Sequence, residues 1–376
     1  MIVDDESIAL RPTTAWVDLG ALRANVAAIR QRVGPRQIMG IVKANAYGHG
    51  LVRTSQELLA AGVDGLGVAF LEEGILLRRS GVTAPILVLG GIIGNQVVHF
   101  LEHDLQITAS SPFKLQQIEE AAAALGKRAQ IHLKLDTGME RIGVHWDGAA
   151  KLFEAAVSAQ HCDLVGVFSH LASSDAADRS YTRLQLERFL EALDWFRQRS
   201  LPCPPRHLAN SGAILQHPDT WFEMVRPGIT LYGLYPTPEV ERSVPLRPVL
   251  SLESRVVYFK VVREGSSVSY DSTWTAQQDT RVVTVPVGYG DGYSRRLSGQ
   301  AQVLIGGQRH PVIGRITMDA LMVDIGKSSA YNADPVVLIG AQGEDRIGVE
   351  EVAGWLQTNV YEVLTSINTR VPRRYR

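Results

Sequence analysis

A lysine stands directly after an apolar run in Ile-Met-Gly-Ile-Val-Lys-Ala-Asn-Ala-Tyr-Gly-His-Gly, residues 38–50. An amine at Lys43 is costly there unless it is used. Desolvation lowers the pKa of such a lysine and allows it to form a Schiff base with a carbonyl, whereas a rim lysine that snorkels to solvent is the plainer alternative. Lys134 and Asp136 straddle the end of a second apolar run, and Arg141 follows in Asp-Thr-Gly-Met-Glu-Arg. These three could form an ion pair that holds a loop, or Arg141 could offer its planar fork to a substrate carboxylate. His170 closes Val-Phe-Ser-His, and a strand-end histidine counts as catalytic only in company. Two further turns, Asn210-Ser211-Gly212 and Arg226-Pro227-Gly228, are of the kind whose backbone N–H groups bind phosphate.

These residues need elements to position them. Between Gln37 and Leu234, eight β-like runs alternate with stretches of helical periodicity: 37–42, 64–70, 84–89, 105–109, 130–135, 163–169, 205–209 and 223–232. The spacing suits parallel strands joined by crossover helices. Leu22, Val26, Ile29 and Val33 form one apolar stripe, with Arg23, Arg30 and Arg32 off it. Eight such units predict an α/β fold, a (β/α)8 TIM-type barrel, in which polar residues at the C-terminal strand ends face the site. On that barrel Lys43 ends strand one, Lys134 and Asp136 strand five and His170 strand six. The two phosphate-type turns belong to strands seven and eight. A strand-end lysine, a phosphate pocket and a partner for a ring nitrogen together are what pyridoxal 5′-phosphate requires.

After Thr237 the texture changes. Prolines at 238, 245 and 248 interrupt the chain, and β-branched alternation follows in 254–262, 281–287, 302–305, 320–325 and 335–339, with one helix at 349–356. This predicts a barrel over 12–240 and a mostly antiparallel β domain over 241–376, with residues 1–18 also able to pack on the latter. Ser267-Val-Ser-Tyr270, Val287-Gly-Tyr-Gly-Asp-Gly-Tyr293 and Gly314-Arg-Ile-Thr-Met-Asp319 are Gly-flanked turns rich in tyrosine. Tyr289 and Tyr293 read as turn packing.

The 376 residues carry 38 Lys plus Arg against 39 Asp plus Glu, a net charge of −1 that gives no footprint for nucleic acid or an anionic membrane. A small-molecule partner is expected instead. Asp4, Asp5 and Glu6 occupy the place where an export signal would be basic, and no apolar run approaches the roughly 20 residues that span a bilayer. Cys162 and Cys203 lack metal-ligand spacing, so no metal site is expected and a cytoplasmic location fits.

From Thr14 to Tyr375 the chain resembles the alanine racemases. The resemblance is carried by Val-Lys-Ala-Asn-Ala-Tyr-Gly-His-Gly at 42–50, Leu-Asp-Thr-Gly-Met-Glu-Arg-Ile-Gly at 135–143, Phe-Ser-His170, Ala-Asn210-Ser211, Val-Arg226-Pro-Gly228-Ile229, Val-Ser-Tyr270, Met318-Asp319 and Tyr361-Glu-Val. It implies pyridoxal phosphate carried on Lys43, with Tyr47, Asn210, Ser211, Gly228, Ile229 and Tyr361 around the phosphate. It further implies Arg226 at the pyridine nitrogen, His170 stacked on the ring, and Arg141 at the substrate carboxylate with Lys134, carbamylated in some members, nearby. Tyr270 would be a second base opposite Lys43, and Met318 and Asp319 would form the substrate-side loop. The chain departs from the family pattern at Asp271, where Gly is usual, and at Thr317, where Cys is frequent. Asp tolerates positive φ less readily than Gly.

The implied reaction interconverts L- and D-alanine through two bases on opposite faces of the α-carbon, supplying D-alanine for peptidoglycan or catabolising it. Both bases would be tuned downward, Lys43 by burial near cations and Tyr270 by a cationic or donor neighbour such as His170 linked to Arg226. The resemblance also implies a head-to-tail homodimer with shared sites. A related decarboxylase would carry a glycine-rich phosphate loop and a catalytic cysteine in the β domain, yet both cysteines precede residue 240. A non-catalytic cofactor carrier would have no need of Tyr270.

Overall fold

The structure, a computed structural model, describes residues 10–376. The expectations for Met1–Glu6, and for the first half of the 1–18 segment, lie outside the described residues. The described chain forms two compact units.

The larger unit comprises Ala21–Ala46 and Leu51–Pro248. All eight expected strands are present: β1 Gln37–Ile41, β2 Gly65–Val68, β3 Ile86–Val88, β4 Gln106–Ala109, β5 Ala129–Asp136, β6 Cys162–Phe168, β7 Arg206–His207 and β8 Met224–Val225. Each pairs in parallel with the next, and β8 returns to β1 through Met224↔Gln37 and Val225↔Ile38, which closes the barrel. β2 and β3 are buried on both faces, which is why they read as unbroken apolar runs instead of alternating. The predicted stripe holds: Leu22, Val26, Ile29 and Val33 are buried on the helix Leu19–Val33. The last run is much shorter as a strand than its apolar length suggests. Beyond Val225, among the described residues, only the Arg226 N–H to the Ala209 carbonyl and the Ile41 N–H to the Pro227 carbonyl continue the pairing, and Pro227 has no N–H of its own to extend it.

The smaller unit comprises residues 10–20, Tyr47–Gly50 and Val249–Arg376. Its ten-stranded sheet is antiparallel throughout the 250–347 region. One parallel pair joins Thr14–Val17 to Arg373–Tyr375, while Thr14–Val17 also pairs antiparallel with Leu250–Arg255. Two expectations need correction. The run 254–262 is two strands, Leu250–Arg255 and Tyr258–Val262, which pair with Pro335–Gln342 and Thr280–Val285 respectively. No Gly or Pro marks the change of partner, so alternation alone conceals it. A second helix, Val360–Ser366, follows Val349–Leu356, capped by the Asn359 side chain accepting from the Glu362 N–H. Among the described residues no helix is long and apolar enough to cross a membrane.

Candidate active site

Lys43 follows β1 and opens a short left-handed turn. Ala44, Asn45, Ala46 and Tyr47 have φ of 54, 56, 52 and 51°. Such a conformation costs about 1–2 kcal/mol per L-residue, so the surroundings must impose it. Glu73 supplies part of that constraint: Oε1 accepts from the Ala44 N–H (2.6 Å) and Oε2 from the Ala69 N–H (2.8 Å). The Ala46 N–H reaches the Val42 carbonyl, the Asn45 side chain accepts from the Leu51 N–H, and Tyr232 donates to the Ile41 carbonyl. The turn holds the Lys43 amine half-buried. Its pKa lies below the usual lysine range, through burial first and the Arg141 cation second, with Glu73 opposing.

Arg226 follows β8 and is 3 % exposed, yet it pairs with no carboxylate. Its Nη1 donates to the His207 carbonyl (2.6 Å) and to His207 Nδ1 (3.1 Å). Its Nη2 donates to the carbonyls of Ser169 (2.8 Å) and Leu208 (3.1 Å) and lies 3.4 Å from His170 Nδ1. Burial lowers this guanidinium to about 9. Among the described residues its Nε makes no hydrogen bond, leaving one N–H for a ligand. Beneath it, His207 Nε2 meets His132 Nδ1 at 2.9 Å, and His132 Nε2 meets Gln106 Oε1 at 3.1 Å. Gln106 Oε1 can only accept, so His132 donates through Nε2 and accepts at Nδ1, and His207 donates from Nε2. Both imidazoles are neutral: burial and Arg226 push His132 down to about 3 and His207 well below its usual value. The Phe168 ring stacks on His207 at 4.7 Å.

The Arg141 loop is organised by Asp136, and not through the Lys134–Asp136 ion pair that spacing suggests. The Asp136 carboxylate accepts from the N–H groups of Gly138, Met139, Glu140 and Arg141 at 2.8–3.2 Å. Burial opposes its ionisation, but those four donors more than offset this and hold the carboxyl below its usual range. Arg141 itself is exposed and makes no ion pair among the described residues, so its fork remains available. Lys134 is buried with its amine 4.6 Å from the Phe168 ring centroid, held well below the usual lysine range by burial and then by Arg226.

At strand ends seven and eight, Asn210 caps Ser211–Gln216 by accepting from the Ala213 N–H, and it also accepts from the Ser174 hydroxyl (2.6 Å). Asn210 is therefore a positioning group. Ser211 Oγ accepts from the Gly228 N–H (2.9 Å) and lies 3.1 Å from Thr230 Oγ1, which gathers hydroxyl and backbone donors at one point beside the buried Ile229. Of the cationic and donor roles expected of His170, its surroundings favour the neutral donor. Burial and the surrounding cations, Arg226 foremost, push it well below its usual value, so it can act as a donor but not as a cation.

In the smaller unit, Tyr270 sits at the tip of a hairpin of Ser267–Val268 and Trp274–Thr275 and is 69 % exposed. Asp271 does adopt the left-handed backbone in question, at φ 61°. Tyr47 and Tyr361 have ring centroids 6.0 Å apart. Met318 and Asp319 lie on a loop fixed by the Tyr289 N–H to the Thr317 carbonyl, the Gly290 N–H to the Met318 carbonyl, and Arg370 to Asp319 (2.7 Å). Arg370 also approaches the buried Asp291, which Arg11 grips. Tyr293 is packed as expected, but Tyr289 is 43 % exposed and is not.

Residue types and spacing did not point to Glu73, His132, His207, Asp291 or Arg370. Only the histidines left a signal, as polar residues inside apolar strands. The barrel residues fit pyridoxal phosphate on their own chemistry: an amine of lowered pKa, a Ser211 hydroxyl held in place by the Gly228 N–H, and an unpaired N–H on Arg226.

The chain is similar to known proteins over nearly its whole length. The profile of the alanine racemase N-terminal domain matches residues 17–236 and that of the C-terminal domain 249–375. An alanine racemase of Symbiobacterium thermophilum is 43% identical over 97% of both chains. The solved alanine racemase of Clostridium difficile 630 superposes with a TM-score of 0.92 at 36% identity, covering 97% of this chain and 96% of the other. A histidine racemase from Leuconostoc mesenteroides shares the architecture, with a TM-score of 0.91, at 26% identity over 98% and 99% of the two chains. With both domain profiles matched in order along a closed barrel and a β domain, the chain belongs to the alanine racemase family of isomerases.

Proposed function

We propose that this chain interconverts L- and D-alanine with pyridoxal 5′-phosphate, using Lys43 and Tyr270 as bases on opposite faces of the α-carbon. The observation that carries the reading is the Lys43 amine, half-buried at the barrel mouth in a left-handed turn with its pKa lowered beside Arg141. When bound, the pyridoxal group supplies the electron sink that makes an α-proton acidic. Lys43 anchors the group and then takes or returns a proton at Nζ, while Tyr270 does so at Oη. Arg226 donates Nε–H toward the ring nitrogen and keeps its own protons, since at about 9 it stays charged near neutrality. Ser211, Gly228 and Ile229, with Tyr47 and Tyr361, hold the phosphate, and Asn210 keeps the Ser211 helix in place. His170 covers the ring as a neutral donor.

Arg141 binds the substrate carboxylate, Lys134 supports it, and Met318 with Asp319 borders the substrate. The named relatives favour alanine, since the histidine racemase is less similar in sequence than the alanine racemases. The reading extends to a cytoplasmic head-to-tail homodimer with shared sites, serving peptidoglycan supply or D-alanine breakdown.

The test is α-proton exchange in deuterium oxide across alanine, serine and histidine, with the visible spectrum recorded first. Borohydride reduction and peptide mapping should place the pyridoxyl group on Lys43. Label on Lys134 or Lys260 would overturn the site, and release of labelled CO2 in place of exchange would overturn the reaction.

A further inference from the structure

The turn that presents Tyr270 is unusual in its backbone. Ser269, Asp271 and Ser272 all have positive φ, at 68, 61 and 49°, within four consecutive residues. None is glycine, so the turn does not hold this shape by local preference. The hairpin base is well anchored: Val268 and Trp274 pair across it and pack with Val262, Ala276, Val282 and Ile313. That anchor ends two residues before Tyr270, and the tyrosine itself is exposed.

Three contacts fasten the tip. Ser267 and Ser272 join through their hydroxyls at 2.9 Å. Ser269 Oγ donates to the Arg315 carbonyl at 2.7 Å. A single oxygen of Asp271, Oδ2, lies 3.5 Å from Arg295 Nη2 and 3.5 Å from Arg315 Nε. The loop before Arg315 is pressed against the same turn, since a Cβ at Gly314 would lie 2.6 Å from the Val268 carbonyl oxygen. The two arginines reach Asp271 from different segments, so one carboxylate ties the tip to both.

An exposed ion pair contributes little to global stability. What this one can control is local placement, and a displacement of about 1 Å of a reacting group can cost on the order of 100-fold in rate. We infer that Asp271 is a positioning residue for the reaction: its carboxylate, clasped by Arg295 and Arg315, holds the 269–272 turn in the left-handed shape that aims Tyr270. This rests on the proposed role of Tyr270 as a base.

Two variants separate charge from backbone. Asp271→Asn keeps a side chain that tolerates positive φ but loses the charge, and Asp271→Gly relieves the backbone altogether. In the cofactor-loaded enzyme both should lower kcat about tenfold, with KM for alanine within about twofold and the thermal midpoint unchanged. Arg295→Gln should lower kcat alone but have no further effect in the Asp271→Asn background. The deuterium isotope effect should rise only in the direction whose α-proton Tyr270 removes, which a general loosening would not produce. Wild-type kcat in Asp271→Gly would overturn the clasp, showing that only the backbone conformation matters. Tyr270→Phe is assayed in parallel: if it is inactive while both Asp271 variants match wild type, the clasp alone fails. If Tyr270→Phe retains activity, the role of Tyr270 fails and the clasp with it.

Discussion

Gly166 on β6 lies opposite His132 on β5, and the space above its Cα is filled by that imidazole. A Cβ added at Gly166 would stand 2.2 Å from His132 Nδ1 and 2.7 Å from Cε1. The ring cannot swing aside cheaply. It is 2 % exposed, edge-on to Phe168, and fixed between His207 Nε2 and Gln106 Oε1. Gly166→Ala must therefore strain the barrel wall, at about 1–3 kcal/mol for overpacking, and break the His132–His207 bond at about 1 kcal/mol. The expected loss is about 2–4 kcal/mol, which for a unit of this size lowers the thermal midpoint by roughly 5–15 °C. Circular dichroism melting of the cofactor-free protein reads it. Turnover should fall as well, because His207 supports Arg226 from below. The clash has a signature of its own: adding His132→Ala to Gly166→Ala should recover part of the loss, so the double variant is more stable than the sum of the singles. A Gly166→Ala protein that melts with wild type, or strictly additive singles, would refute the reasoning.

Lys134→Met should stabilise the cofactor-free protein by about 1–4 kcal/mol near neutral pH, since it removes a buried amine crowded by Arg226. The folded-state pKa of that amine lies below the unfolded value near 10.5, so its penalty is largest at low pH and fades as pH rises toward that value; a gain independent of pH between 6 and 10 would contradict the assignment. Asp136→Ala removes the acceptor of four loop N–H groups and should raise KM for alanine about tenfold, a loss of about 1.4 kcal/mol in substrate binding, with a smaller change in kcat. Because the Asp136 carboxyl is held below its usual value, its contribution to stability is present above that value and lost as pH falls through the lower folded one, so variant and wild type should melt together in strong acid. For the shared-site dimer, Lys43→Ala and Tyr270→Phe chains, each nearly inactive, should recover about a quarter of wild-type activity when fully exchanged in equal amounts; no recovery despite exchange confirmed by a tag would place both residues in one chain's site.

Local pattern alone determined the barrel here. Eight apolar runs at crossover spacing became eight parallel strands, and the stripe from Leu22 to Val33 became a buried helix face, because period and burial are properties of neighbouring residues. The same logic put Lys43, His170, Ser211 and Arg226 at strand ends, where a barrel keeps its chemistry. The Asp136 loop was also within reach of sequence, since its four donors lie two to five residues ahead. Only the tertiary structure decided what those side chains are. Arg226 draws its partners from Ser169, 57 residues away, and from His207, which in turn meets His132 across 75 residues. Glu73 shapes the Lys43 turn from 29 residues downstream. Of Ala-Asn-Ala-Tyr only Asn45 tolerates a left-handed backbone readily. The turn forms where the Glu73 carboxylate, on the helix Leu71–Arg79, and the Val42 carbonyl just before it accept its N–H groups, and protonation follows from the closed barrel, which removes water from around Lys43, Lys134 and Arg226 together. Desolvation and strain belong to the assembled barrel, and a linear pattern of residue types carries neither.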